Sequence, residues 1–155
     1  MIKKIFIFLL ITLFLLGCDN VKNTPTSKVE SFLNKYQTLD KNVLKDLDHI
    51  ISNNKDLNKR QKEEYKELLK RQYQNLSYKI KNEEIENNIA IVETEIEVLN
   101  YSRVKEKDID KRLIEMRNIE DKKKYEITFY LSKDKGIWII DKLDENDYKK
   151  INGLY

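Results

Sequence analysis

The chain has 155 residues, with 30 Lys and Arg against 27 Asp and Glu, and one Cys and one His. About 130 residues follow the apolar N-terminal segment, enough for one hydrophobic core and too few for two. A single thiol excludes an internal disulfide, so packing alone must hold the domain together.

Lys3 and Lys4 are followed by an unbroken apolar run from Ile5 to Leu16, closed by Leu15-Leu16-Gly17-Cys18. The 12-residue run falls well short of the ~20 residues a membrane-spanning helix requires. Its layout of charge, short apolar stretch and small residues is that of a cleaved signal peptide. The closing tetrapeptide resembles the lipobox of bacterial lipoproteins, formed here by Leu15, Leu16, Gly17 and Cys18. That resemblance implies cleavage before Cys18, whose thiol is acylated and whose amine becomes the new N-terminus.

A diacylglyceryl group would hold the chain stably on a membrane, at ~0.8 kcal/mol per buried CH₂. The expected location is the extracytoplasmic face of the cell membrane. In a two-membrane cell Asp19 resembles a signal for retention on the inner membrane; in a single-membrane cell it has no such meaning. Loss of residues 1–17 takes away Lys3 and Lys4 and no acid, leaving 28 basic against 27 acidic residues. No basic stripe remains for nucleic acid. The longest basic run, Lys122 to Lys124, is flanked by Glu120, Asp121 and Glu126 and reads as a solvated face.

Residues 18–26 read as a lipidated N-terminus and tether, and 27–155 as one domain. Ser27 to Glu30 fits a capping box, starting a first helix with Val29, Phe32, Leu33, Tyr36 and Leu39 on one face. Asp40 caps a second, with Val43, Leu44, Leu47, Ile50 and Ile51 as its stripe. After a break at Asn53 to Asp56, Asn58 and Gln61 cap a third, carrying Tyr65, Leu68, Leu69, Tyr73 and Leu76. Alternation then replaces helical spacing. Leu76, Tyr78 and Ile80 form a strand, residues 82–88 a turn, and Ala90, Val92, Thr94, Ile96 and Val98 the inner face of a longer strand with glutamates outside. Asp108 to Lys124 returns to helical spacing through Ile109, Leu113 and Met116. Tyr125, Ile127, Phe129 and Leu131 form a third strand, followed by a hairpin turn at Asp134 to Gly136. Ile137 to Ile140, apolar on both parities, reads as a central strand. Asp144 caps a short last helix, ended by Asn152 and Gly153.

Thr26 to Tyr36, Gln72 to Tyr78, Gly136 to Asp141 and Lys150 to Tyr155 carry a resemblance that spans nearly the whole mature chain. They resemble membrane lipoproteins of AT-rich Gram-positive bacteria with a nuclear transport factor 2-like (cystatin-like) domain. The implied fold is α+β: N-terminal helices packed on a curved four-stranded antiparallel sheet, cone-like, with a short C-terminal helix. A helix near 108–123, inserted between strands, is an addition to the superfamily pattern.

Enzymes of that superfamily use an interior Asp–His or Asp–Tyr pair. His49 falls opposite Val43, Leu47 and Ile50 and is expected to face solvent, so no catalytic residue is assigned. No metal ligand set, phosphate-binding glycine loop or nucleophile–base pair is present, and no metal or cofactor is expected. Gln72 and Thr94 stand where apolar residues are expected. Each is a candidate either for a structural hydrogen bond or for lining a ligand cavity. Tyr78, Tyr101, Tyr125 and Trp138 read as core, and Asp141 as a carboxylate at a strand end.

These features point to a non-enzymatic binding or scaffolding module for a protein or small ligand, with the amphipathic 108–123 segment as its partner-facing element; the alternative for its stripe, through Leu113 and Met116, is packing on the sheet. The alternatives are a small-molecule enzyme, isomerase or hydrolase-like, or a structural homodimer joined through the sheet.

Overall fold

The computed structural model describes residues 23–155. Residues 1–22, with the lipobox Leu15, Leu16, Gly17 and Cys18 and with Asp19, lie outside the described residues. Among the described residues, five α-helices and one antiparallel sheet of four strands make an α+β domain, three helices preceding the sheet.

Helix α1 spans Pro25–Gln37. Thr24 is its cap, exchanging hydrogen bonds with Ser27, which is the third helical residue. The helix thus starts ahead of the expected cap at Ser27. Pro25 explains the difference, because its fixed φ suits the first helical turn and its missing N–H costs nothing there. Leu39, at φ 52, reverses the chain. Asp40 caps α2 (Lys41–Ser52), and Asn58 with Gln61 forms the expected capping box of α3 (Lys59–Gln74).

The strands are β1 (Ser77–Glu86), β2 (Ile89–Leu99), β3 (Lys122–Asp134) and β4 (Ile137–Ile140), paired in sequence order. Ala90, Val92, Thr94, Ile96 and Val98 face inward as expected. Residues 82–86, expected as turn, instead continue β1 past an irregularity between Ile80 and Asn82, and only Asn87 and Asn88 turn. Asn82, Glu83, Glu84 and Glu86 suit an edge strand, where charge discourages pairing with other chains. Strand β4 is also an edge rather than central: it pairs only with β3, burying Trp138 while Ile137 and Ile139 stay exposed.

Between β2 and β3 lies α4, which spans only Ile109–Arg117. Lys122 to Lys124, expected within this helix, begin β3 opposite Leu99, Val98 and Glu97. Lys124 Nζ meets Glu95 Oε1 at 2.9 Å across the strands, an opposite-charge pairing that favours strand over helix.

The main core joins Val29, Leu33, Leu47 and Leu69 of the helices to Val92, Ile96, Phe129 and Leu131 of the sheet. A smaller cluster forms where α4 lies on α3: Leu68, Leu99, Tyr101, Leu113 and Met116. Leu113 and Met116 are therefore interior, which corrects their expected role in facing a partner. Arg71 donates to the carbonyls of Arg117 and Ile119, both at 2.8 Å, closing the C-terminal end of α4. Helix α5 (Glu145–Ile151) is capped by Asp144 and followed by Gly153 at φ +69. Among the described residues, no helix is long and apolar enough to cross a membrane.

Candidate functional site

Gln72, on the buried face of α3, is fully enclosed. Its Oε1 accepts from Leu99 N–H at 2.9 Å, and its Nε2 donates to the Ile151 carbonyl at 3.1 Å. One amide therefore joins α3, the end of β2 and the end of α5. Gly153 packs against this junction: a Cβ there would collide with the Leu99 carbonyl oxygen and lie 2.8 Å from Gln72 Nε2. Thr94, also fully buried, leaves its hydroxyl without a hydrogen-bond partner. Neither Gln72 nor Thr94 borders the groove described next. Asp141 is exposed and accepts from Ser132 Oγ at 3.2 Å at the end of β4.

An open groove of about 890 Å³ is framed by α1, α2, α3 and α5. Helix α1 contributes Phe32 and Tyr36, one turn apart, with ring centroids separated by 5.3 Å. Phe32 also packs edge-on against Phe129, and Tyr36 against Tyr73 of α3 at 5.0 Å. Tyr73 donates its hydroxyl to Asn152 Oδ1 at 2.9 Å, binding the groove floor to the C-terminal segment. Tyr148 of α5 and Lys142 close the far wall.

Helix α2 supplies the remaining wall through Asn42, Asp46, His49 and Ile50. Their spacing of i, i+4, i+7 and i+8 makes a flank beside the buried Val43–Leu47–Ile51 stripe. His49 is exposed as expected, yet it borders this groove, its Nε2 lying 3.2 Å from Asn53 Nδ2. Ile50, expected in the core, is 55% exposed at the rim. Sequence reasoning placed Phe32, Tyr36 and Tyr73 on core-facing stripes and missed that they also line a concavity. The mostly polar flank at helical spacing was its only local trace.

Burial holds the Tyr36 and Tyr73 phenols well above the usual tyrosine range, with Asp46 adding to both. Both remain protonated near neutral pH and are suited to donating hydrogen bonds. Asp46 and His49 share one face of α2, but no hydrogen bond joins them. Lys35 and Lys142 put positive charge at the rim. The lining therefore offers aromatic and aliphatic surface, phenolic and amide hydrogen bonds, and mixed charge. Among the described residues, no three His, Cys, Asp or Glu side chains group as a metal site requires.

No family model, curated protein or solved structure matches this chain, so its functional reading rests on its own residues.

Proposed function

We propose that this chain is a lipoprotein, anchored through Cys18 on the extracytoplasmic face of the cell membrane, that binds an amphipathic ligand without transforming it. The observation that carries the binding role is the aromatic-lined groove with Ile50 left in water at its rim. Ligand sites are typically concave, largely apolar and furnished with a few orienting polar groups. Phe32, Tyr36, Val43, Leu47 and Ile50 would cover an apolar body, while Lys35 and Lys142 would receive an anionic group. The anchor rests on the signal layout and lipobox of residues 1–18. The α+β architecture, with helices before a four-stranded antiparallel sheet, is compatible with the cystatin-like resemblance.

Two measurements test this reading. Cells fed an alkyne fatty acid should label the wild-type chain and leave Cys18→Ser unlabelled. The chain from Asn23 onward, which contains every core residue described, should bind anilinonaphthalene sulfonate saturably, an apolar ring system carrying one anion. Ile50→Glu should weaken that binding at least about tenfold, about 1.4 kcal/mol, while leaving thermal unfolding unchanged. Equal binding by wild type and Ile50→Glu would remove the groove from consideration.

A further inference from the structure

Where the chain enters the domain, it is fastened to one end of the sheet. Asn23 Nδ2 donates to the Gly136 carbonyl at 2.6 Å, and the Trp138 N–H donates to Asn23 Oδ1 at 3.2 Å. Three residues on, the Thr26 N–H and hydroxyl both donate to Glu83 of β1, at 2.8 and 2.6 Å. Both hairpin turns, Asn87–Asn88 and Lys135–Gly136, lie at this same end, joined by the Lys133 N–H donating to the Asn88 carbonyl at 2.8 Å. Four residues lie between Cys18 and Asn23, and the five steps from one to the other reach at most roughly 18 Å at ~3.6 Å each. Any acyl chain on Cys18 therefore attaches within that distance of Asn23, which is itself bonded to the Lys135–Gly136 turn and the start of β4.

The same end leaves isoleucines in water. Ile85 and Ile89 flank the first turn, 54% and 62% exposed, and Ile137 and Ile139 follow the second, 53% and 48% exposed. Ile89 and Ile139 sit across Ser132 from one another in the same row of the outer sheet face. Ile85, Ile137 and Ile139 lie on the edge strands β1 and β4, where charge is the norm in water. The neighbouring charges are Glu84, Glu86, Lys133, Asp134 and Lys135, three acids against two bases, so an anionic surface gains nothing from them.

We propose that this sheet end is a membrane-docking surface, on which Ile85, Ile89, Ile137 and Ile139 enter the headgroup–acyl boundary of the bilayer that holds the anchor. The proposal rests on lipidation of Cys18. The driving force is apolar burial of the kind that seats interfacial segments in a bilayer, so zwitterionic and anionic lipid should serve equally. Docking also orients the groove. Helix α1 runs from this end towards the start of β1, where Gln37 Nε2 donates to the Leu76 carbonyl at 2.8 Å. Phe32 and Tyr36 thus lie roughly 10 to 17 Å along α1 from Pro25, at ~1.5 Å per residue. A docked domain presents its groove to the aqueous side.

The lipidated full chain, purified from membranes and placed in phosphatidylcholine vesicles with and without phosphatidylglycerol, tests this. Because Cys18 is the only cysteine, Ile137→Cys and Ile89→Cys each add one reactive thiol at the tips. Ser77→Cys adds one at the other end of β1, roughly 30 Å away at ~3.3 Å per residue. Nitroxides at 137 and 89 should show oxygen accessibility several-fold above that at 77, with the opposite order for a water-soluble nickel complex, in both lipid mixtures. Tips as open to nickel as position 77 overturn the docking surface while the anchor stands. Tips shielded from both reagents, with strong coupling between spin labels, place a second copy there and overturn it equally. An intact mass lacking the diacylglyceryl group overturns the anchor and the docking surface together.

Discussion

Gln72 and Tyr73 are consecutive residues of α3, yet they serve two regions built on opposite rules. The Gln72 junction is closed: its amide is bonded on both sides, and Gly153 fills the space left beside it. The groove reached by Tyr73 is open, with Ile50 wet and Tyr148 40% exposed. A buried polar group stabilises only when every partner is present, because an orphaned donor or acceptor costs more than a bond gains. An open groove tolerates unpaired groups because water serves them until a ligand does. The first region should thus respond to substitution by unfolding, the second by losing binding at constant stability.

The largest effects belong to the closed region. Gln72→Ala should cost about 3–5 kcal/mol, since it orphans the Leu99 N–H and the Ile151 carbonyl and leaves a cavity. Gly153→Ala should cost a similar ~3–5 kcal/mol, combining a positive φ with a collision against the same junction. Denaturant titration measures both. Unchanged midpoints would show the junction to be dispensable.

Leu113→Ala comes next, at about 2–4 kcal/mol, because it empties the cluster that joins α4 to α3. A stability loss under ~0.5 kcal/mol would return α4 to the role of a partner-facing element.

The groove contributes to the response to alkali, alongside Tyr65, Tyr78 and Tyr101, whose phenols burial also raises. The Tyr36 and Tyr73 phenols are raised by burial above the ordinary value of 10. A raised folded value contributes stability in full below the unfolded value and loses it as pH rises beyond. Stability should accordingly be level through neutral pH and fall above about pH 10, and Tyr36→Phe should lessen that fall. An unfolding profile flat to pH 12 or so would place these rings in water.

Thr94→Val is the smallest and carries the opposite sign. It replaces an unpartnered buried hydroxyl with a methyl group of similar shape, for a gain of about 1 kcal/mol. A loss instead would mean that the hydroxyl is satisfied in solution.

Much of the framework was legible in the chain. The caps at Asp40, Asn58 and Asp144 were readable because a cap is a contact between residues two or three apart. The inward face of β2 was readable because alternation reports which side is dry. Gln72 was readable as an anomaly, an amide within an apolar stripe. Its two partners, 27 and 79 residues away in sequence, were not. The groove was illegible for the same reason: its walls come from α1, α2, α3 and α5, and no local pattern records how far apart packed helices stand.

The strand boundaries that moved share one cause. Residues 82–86 became strand because β2 supplied hydrogen bonds along their whole length, and Lys122 to Lys124 because they pair with Leu99 to Glu97 of β2, where Glu95 also offers Lys124 a charge. Strand β4 is apolar on both parities, but parity cannot say how many neighbours a strand will have. By itself the sequence determined the caps at Asp40, Asn58 and Asp144, the dry face of the sheet and the left-handed position at Gly153, all governed by forces acting within a few residues. Only the tertiary structure decided which strands are edges, that Leu113 and Met116 are interior, and that Ile50 is wet. Those outcomes depend on which distant surfaces meet, and burial is a property of the meeting and not of the residue.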